Sequence, residues 1–430
     1  MRRLLPFMLL ALVPTTVVGQ AADSAAAARA SYRAAVESLR AGDSAAALTG
    51  LARAAAAFPQ QPAYPGALAR LAAIRGDRAV AMPALERLIS MEAGWNPDGP
   101  ISALRGDSSY NALERRMIEA TGDKGGGTVF ATLADSALHP EGIAYDPASK
   151  RWFVGSVHDR GVQRLDGAGR AERWGPPADS LDAVFGMAVD RARGWLWLAT
   201  AAVPHMRGYR AEDGGRSTLV ALSLVTGAVV RRIALPAVDG GHQLGDVIVT
   251  PEGGLIASDS RHPAVYIVGH PERDNIATVL VERDPRFRSL QGMAIVGGGR
   301  TLLLADWSHG LLRIDLRTRT VDEVRPPAGG TTLGIDGLYR LDDRRLLAVQ
   351  NGIAPPRVVL LTLDAAGRDV TELRTLDRHA ALATEPTLGA IGDGWFVYVA
   401  NSPWAAFDDH GRRVPGSTLS RPVLLTLPVP

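Results

Sequence analysis

The chain has 430 residues, 46% of them hydrophobic and 21% charged, enough for two domains with sizeable cores. Its formal net charge of +2 is spread along the chain without a basic cluster, which gives no electrostatic reason to place nucleic acid among its partners. Cysteine is absent, which excludes disulfides, thiolate catalysis, cysteine-based metal sites and a bacterial lipoprotein anchor.

Met1-Arg2-Arg3 is followed by the apolar run Leu4 to Val13 and then by the small residues Gly19, Ala21 and Ala22. A charged start, a short apolar core and a small-residue cleavage site predict a secretory signal over residues 1–21 and a periplasmic or secreted protein. The apolar run is short and interrupted by Pro6, and no later segment is long and apolar enough to span a bilayer. No membrane span is therefore expected once the signal is removed.

Residues 22–122 are rich in Ala, Leu, Arg and Glu, all strong helix formers. Gly42-Asp43 recurs as Gly76-Asp77, a step of 34 residues, which is the period of a tetratricopeptide repeat. Each pair stands between two apolar-periodic stretches. The small residues Ala47 and Ala54 suit close helix packing in the first unit, and Leu68, Ala81 and Leu88 take the matching places in the second. Gly106-Asp107, followed by Tyr110, Leu113 and Met117 at helical spacing, reads as a truncated capping unit. The segment resembles a tetratricopeptide-type array. It contains no residues patterned for chemistry, so its expected role is contact with a partner or packing. The glycines of residues 125–127 mark a boundary between two self-contained patterns.

From residue 123 onward the pattern changes to short β-rich runs separated by Gly, Pro, Asp and Asn. Six units open alike, with second residues Gly142, Gly186, Asp246, Gly292, Gly337 and Pro386, at steps of 44, 60, 46, 45 and 49 residues. Such periods predict the blades of a six-bladed β-propeller, each a four-stranded antiparallel sheet. The long step holds an insertion around residues 204–215. The run Thr128 to Leu133 has no blade of its own. It is expected to join the C-terminal run Val423 to Leu427 in the sixth blade, closing the ring and removing exposed edges. The fold class is thus an all-β six-bladed propeller preceded by an all-α, tetratricopeptide-like domain.

The opening residues of the innermost strands should face the mouth of the central channel. They are Glu141, Phe185, Gly245-Asp246, Gln291, Asp336 and Glu385. Carboxylates crowded on one axis repel one another and need a cation, a bound proton or water to coexist. Oxygen-only donors favour a hard ion such as calcium, magnesium or manganese. His139 and His242, close to Glu141 and Asp246 in sequence, are further candidates for the mouth and for a general base. Asp259 and Asp306 end second strands, where Asp accepts turn hydrogen bonds, and are read as structural. Ser156, His158 and Asp159 lack the strand-to-helix context of a serine hydrolase.

The Glu-Gly and Asp-Gly openings resemble those of the gluconolactonase/regucalcin-like six-bladed propellers, and more loosely the wider group with NHL-repeat and strictosidine-synthase-like folds. The resemblance covers residues 128–430. It implies a divalent cation in the channel, held by a glutamate in the first blade, asparagines in the third and fourth, and an aspartate in the fifth. Those places hold Glu141, Gly245-Asp246, Gln291 and Asp336. The two acids match and the two asparagines are replaced. The resemblance also implies lactone or ester hydrolysis, with the ion polarising the carbonyl and Asp336 assisting proton transfer. The replaced asparagines and the attached helical repeats favour a different reading, in which an exported propeller binds a small molecule or a protein partner through its channel face and its repeats. The metal-dependent lactonase or esterase is the alternative.

Overall fold

The computed structural model describes residues 18–379 and 381–430. Most of the signal reading, residues 1–17, lies outside the described residues. None of the described helices is long and apolar enough to cross a membrane.

Five α-helices come first: α1 (Val18–Arg40), α2 (Ser44–Ala57), α3 (Ala63–Ile74), α4 (Arg78–Ser90) and, after a short 3-10 turn at Pro100–Leu104, α5 (Ser108–Thr121). The Gly-Asp pairs make the joints. Gly42 and Gly76 have φ of 83° and 73°, the left-handed conformation that ends a helix cheaply only at glycine. The following aspartate then caps the next helix. Asp43 accepts from the amides of Ala45 and Ala46, and Asp77 from Val80. Gly106-Asp107 repeats the device before α5, whose buried face is Tyr110, Leu113 and Met117. Ala35, Ala47, Leu51, Leu68, Ala81 and Leu88 belong to one continuous core, as a repeat array requires of its neighbouring units.

The remainder is a six-bladed propeller of six four-stranded antiparallel sheets. The innermost strands are Pro140–Asp146, Ala183–Asp190, Leu244–Val249, Leu290–Val296, Ile335–Arg340 and Gly389–Gly392. Thr128–Thr132 pairs antiparallel with Val423–Pro428 and forms the outer strand of the sixth blade. The ring is therefore closed by hydrogen bonds between the two ends of the β-region, and no blade is left with an unmatched inner edge. The blades pack through apolar layers, such as Leu303, Ala305, Leu338, Leu346 and Val359 between the fourth and fifth.

The helical segment is docked on the propeller. Phe58 and Tyr64 share an apolar cluster with Leu333, and the amide of Gly94 donates to the carbonyl of Ala354 at 2.6 Å. At the centre of the junction Glu92 Oε2 accepts from Arg357 Nη1 at 3.0 Å, from Thr375 Oγ1 at 2.7 Å, and from Arg378 Nη2. Both arginines are only 2% exposed. Arg378 also donates to the carbonyls of Ala120 and Gly122 at the end of α5. The glycine-rich linker is itself held: Lys124 and Arg378 exchange backbone hydrogen bonds, and the Gly127 amide donates to Asp377.

Candidate active site at the channel mouth

Five of the six blade openings fall on a register shift of the innermost strand: between Pro140 and Ile143, Val184 and Met187, Leu244 and Asp246, Leu290 and Met293, and Ile335 and Gly337. Such bulges add an unpaired residue and re-aim its side chain, which is why they recur beside functional sites. Here Glu141, Gln291 and Asp336 are residues that the shifts leave unpaired, and Asp246 directly follows one at Gly245. All four line one cavity of about 290 Å3, with Gln243, Ser260, Ser289, Trp307 and Trp404 among its other walls. No Lys, Arg or His lines it.

Asp336 and Glu141 are each held by a donor from another part of the fold, and Asp246 by the amide of its neighbour. Asp336 Oδ2 accepts from Asn351 Nδ2 at 2.7 Å, and Asn351 Oδ1 accepts in turn from Trp307 Nε1 at 2.9 Å. Glu141 Oε2 accepts from Trp404 Nε1 at 2.8 Å, while its carbonyl accepts from Thr387 Oγ1. Asp246 Oδ1 accepts from the amide of Val247 at 2.8 Å. The Gln291 amide nitrogen donates to Ser289 Oγ at 3.2 Å.

Below the mouth the channel widens into a cavity of about 670 Å3, lined largely by apolar residues such as Ile143, Met187, Val247, Ile295 and Leu338. Asp246 borders both cavities. The acids thus stand where a small polar chamber meets an apolar tube, and this desolvation governs their protonation. Burial pushes Asp336 up to about 6. It pushes Asp246 up to about 7, with the Asp336 charge adding to the rise. Glu141 is raised well above the ordinary carboxylate range by burial first and then by Asp336, partly offset by the Trp404 hydrogen bond. Tyr339, whose hydroxyl accepts from the Gly389 amide at 2.6 Å, is raised by burial and by the charges of Asp246, Asp336 and Glu141.

Phe185 and Gly245, also read as mouth residues, line the chamber too, whereas Glu385, His139 and His242 do not. Glu385 stands beside the chamber, not in its lining, and accepts from the Ala405 amide at 3.0 Å. His139 is buried behind Trp404, with ring centroids 4.3 Å apart. Burial and its neighbours His205 and His158 push it down to about 3, so it is neutral packing. His242 has both ring nitrogens engaged, by Asp259 Oδ2 at 2.6 Å and the Pro236 carbonyl at 2.7 Å, and does not line the chamber. Asp259 and Asp306 accept turn amides, as their strand-end positions suggest.

Asn351, Trp307 and Trp404 are not among the residues singled out in the sequence. Two of them carried a signal. Ser260, Trp307 and Asn351 each directly follow the residue that pairs with an innermost strand, at Asp259, Asp306 and Gln350. Aligning the second strands as well as the first places all three at the mouth. Trp404 comes from the long loop within the sixth blade, where the repeat has no counterpart.

The donor set suits a hard cation by chemistry, being carboxylate and amide oxygens with no competing base. Gln291 Oε1 lies against Gly245, where a Cβ would stand 3.4 Å from it. Among the described residues, however, no three carboxylates or imidazoles converge at ligand spacing. An ion here would draw on two acids with an amide oxygen rather than on three acids.

Fold and chamber together define a six-bladed β-propeller with an acid-lined channel mouth. Similar solved structures include a gluconolactonase from Xanthomonas campestris (14% identity, TM-score 0.46, 70% of this chain and 87% of that one). They also include the calcium-binding protein regucalcin from Agrobacterium tumefaciens (17%, 0.46, 70% and 95%) and a luciferin-regenerating enzyme (11%, 0.47, 70% and 95%). No protein-family model and no curated protein sequence matches the chain.

Proposed function

We propose that the channel mouth hydrolyses a small lactone or ester, with Asp336 as general base and Glu141 as proton donor to the leaving oxygen. The observation that carries this reading is the placement of two buried acids in one chamber with different hydrogen-bond partners, Asn351 for Asp336 and Trp404 for Glu141. Burial pushes Asp336 up to about 6, and Glu141 is raised well above the ordinary carboxylate range by burial and then by the Asp336 charge, which favours the proton on Glu141 once Asp336 is ionised. Two carboxyls driven apart in this way supply a base and an acid at the same pH.

In the reaction Asp336 takes a proton from water as the water oxygen bonds to the acyl carbon. The acyl–oxygen bond of the ring then breaks, its electron pair stays on the former ring oxygen, and that oxygen takes the proton of Glu141. The product is a hydroxy acid. The pair still holds one proton, now on Asp336, and resets by transferring it to Glu141. Asn351 and Trp404 are positioning residues that fix one oxygen of each carboxyl. A divalent cation held by Glu141, Asp336 and the Gln291 amide oxygen would displace the Glu141 proton and supply Lewis-acid polarisation of the carbonyl in place of that proton donation. The chamber, near the lower end of ligand-pocket sizes, suits a small ring.

Binding without turnover is the competing reading. Its helical component is weakened because one face of the segment is already spent on the propeller. Hydrolysis of γ- and δ-lactones by purified protein separates the two. Asp336→Asn should lower the rate by about 10²–10⁴-fold, and a folded protein that turns over no lactone or ester leaves binding as the function. We place this activity outside the cytoplasm, on the strength of the N-terminal pattern. A mature chain beginning near residues 20–23 by mass spectrometry is expected, and an intact Met1 in the exported fraction contradicts it.

A further inference from the structure

We infer that the cleft between the helical segment and the propeller is a subsite for an apolar substituent of the substrate, so that the preferred lactone or ester carries an alkyl or aryl chain; this rests on the hydrolytic reading of the mouth. The cleft has a volume of about 420 Å3. Ala63, Leu88 and Trp95 line it from the helical side, and Leu333 and Ile353 from the propeller. Arg70, solvent-exposed, is its one charged lining residue.

Trp307 joins this cleft to the mouth, because it belongs to the lining of both. Trp307 is 41% exposed. Its only polar atom is spent on Asn351, so what it offers a ligand is apolar ring surface. Gly352 lets the indole lie close to the backbone, since a Cβ there would stand 2.8 Å from Trp307 Cε2. From Trp307 the hydrogen bonds run through Asn351 to Asp336. A chain laid along the indole therefore ends one side chain away from the base.

The two walls are fixed in advance. The Gly94–Ala354 backbone bond and the Glu92 ion pairs hold the helical segment at this distance from the blades. A preformed apolar cleft spares the ordering cost of its own walls when a chain enters it. The helical segment then has a role in the site: it is the second wall of a specificity pocket that a bare propeller would lack.

The test uses γ-lactams bearing linear alkyl chains of increasing length, titrated calorimetrically into the full-length protein. Lactams resist hydrolysis, so binding is read whether or not the protein is a hydrolase. Affinity is expected to rise about threefold to fourfold per methylene until the cleft is filled. Ala63 is exposed on α3 and lines the cleft. Ala63→Phe should flatten the rise and Ala63→Leu should reduce it, both at unchanged melting temperature. A flat series in the wild type, or a rise that survives both substitutions, overturns the subsite. Failure of the hydrolytic reading looks different: the lactams bind with chain-length dependence while the corresponding lactones are not turned over. Turnover of short lactones with a flat lactam series removes the cleft and leaves the hydrolase.

Discussion

The side-chain amide of Asn351 donates to Asp336 Oδ2 at 2.7 Å and accepts from the indole of Trp307 at 2.9 Å. The first bond favours the ionised carboxylate and works against the burial that raises Asp336. Asn351→Ala should therefore raise the pKa of Asp336 above about 6 and move the acid limb of the pH–rate profile to higher pH. A role confined to packing would lower stability and leave that limb where it is.

Among the described residues Glu92 is the one acid that Arg357 and Arg378 share across the junction, and both arginines are buried. Removing one partner of a buried pair strands the other charge, which costs about 3–5 kcal/mol. Glu92 is itself partly exposed, so the lower end applies, and Glu92→Ala should destabilise the protein by roughly 3 kcal/mol. Equilibrium unfolding in denaturant gives this number. A change under about 0.5 kcal/mol, the scatter of ordinary surface substitutions, would show that the helices dock without this network. The same geometry bears on a propeller expressed alone: residues 124–430 would carry both arginines without their acid and should be markedly less stable than the full chain.

Asp246 has a folded-state pKa raised to about 7 from an ordinary 3.8. Between those values the folded chain binds the proton that the unfolded chain has lost. The burial cost is absent below the lower value, grows as pH rises and is complete above the higher one. Asp246→Asn, which cannot ionise, should gain in melting temperature relative to the wild type from pH 4 to pH 8. A difference that is constant across this range would mean that the carboxyl is not desolvated.

A divalent cation should stabilise the fold by mass action, because the unfolded chain has no such site. Calcium or manganese is expected to raise the melting temperature more at pH 8 than at pH 5, since protons compete for the same oxygens. Asp336→Ala and Glu141→Ala should each abolish the rise. A rise that survives both substitutions places the ion elsewhere.

The architecture was readable in the sequence because each device is local and repeats. Gly-Asp marks a left-handed helix end followed by a cap, and the 34-residue step between two such pairs sets the helical unit. Five of the six blade openings sit on bulges, so a similar short motif recurs around most of the ring. The four residues of the chamber were readable for the same reason. What the repeat does not encode was hidden. Trp404 enters from a loop present in one blade only. Glu92 reaches Arg378 across 286 residues. His139 and His242 neighbour the acids in sequence, yet a positive φ of 50° at His139 and the Asp259 hydrogen bond at His242 hold them away from the chamber. Proximity along the chain does not determine which way a loop side chain turns.

Lactone hydrolysis by the wild type and by Asp336→Asn, followed across pH 4 to 9, bears most directly on the acid–base pair. The expected profile rises through about pH 6 as Asp336 ionises, and Asp336→Asn should lose at least about 100-fold in rate along with that limb. A wild-type rate no greater than the uncatalysed one, or a full rate and an unchanged limb in Asp336→Asn, would contradict the assignment of the channel mouth as a hydrolytic site.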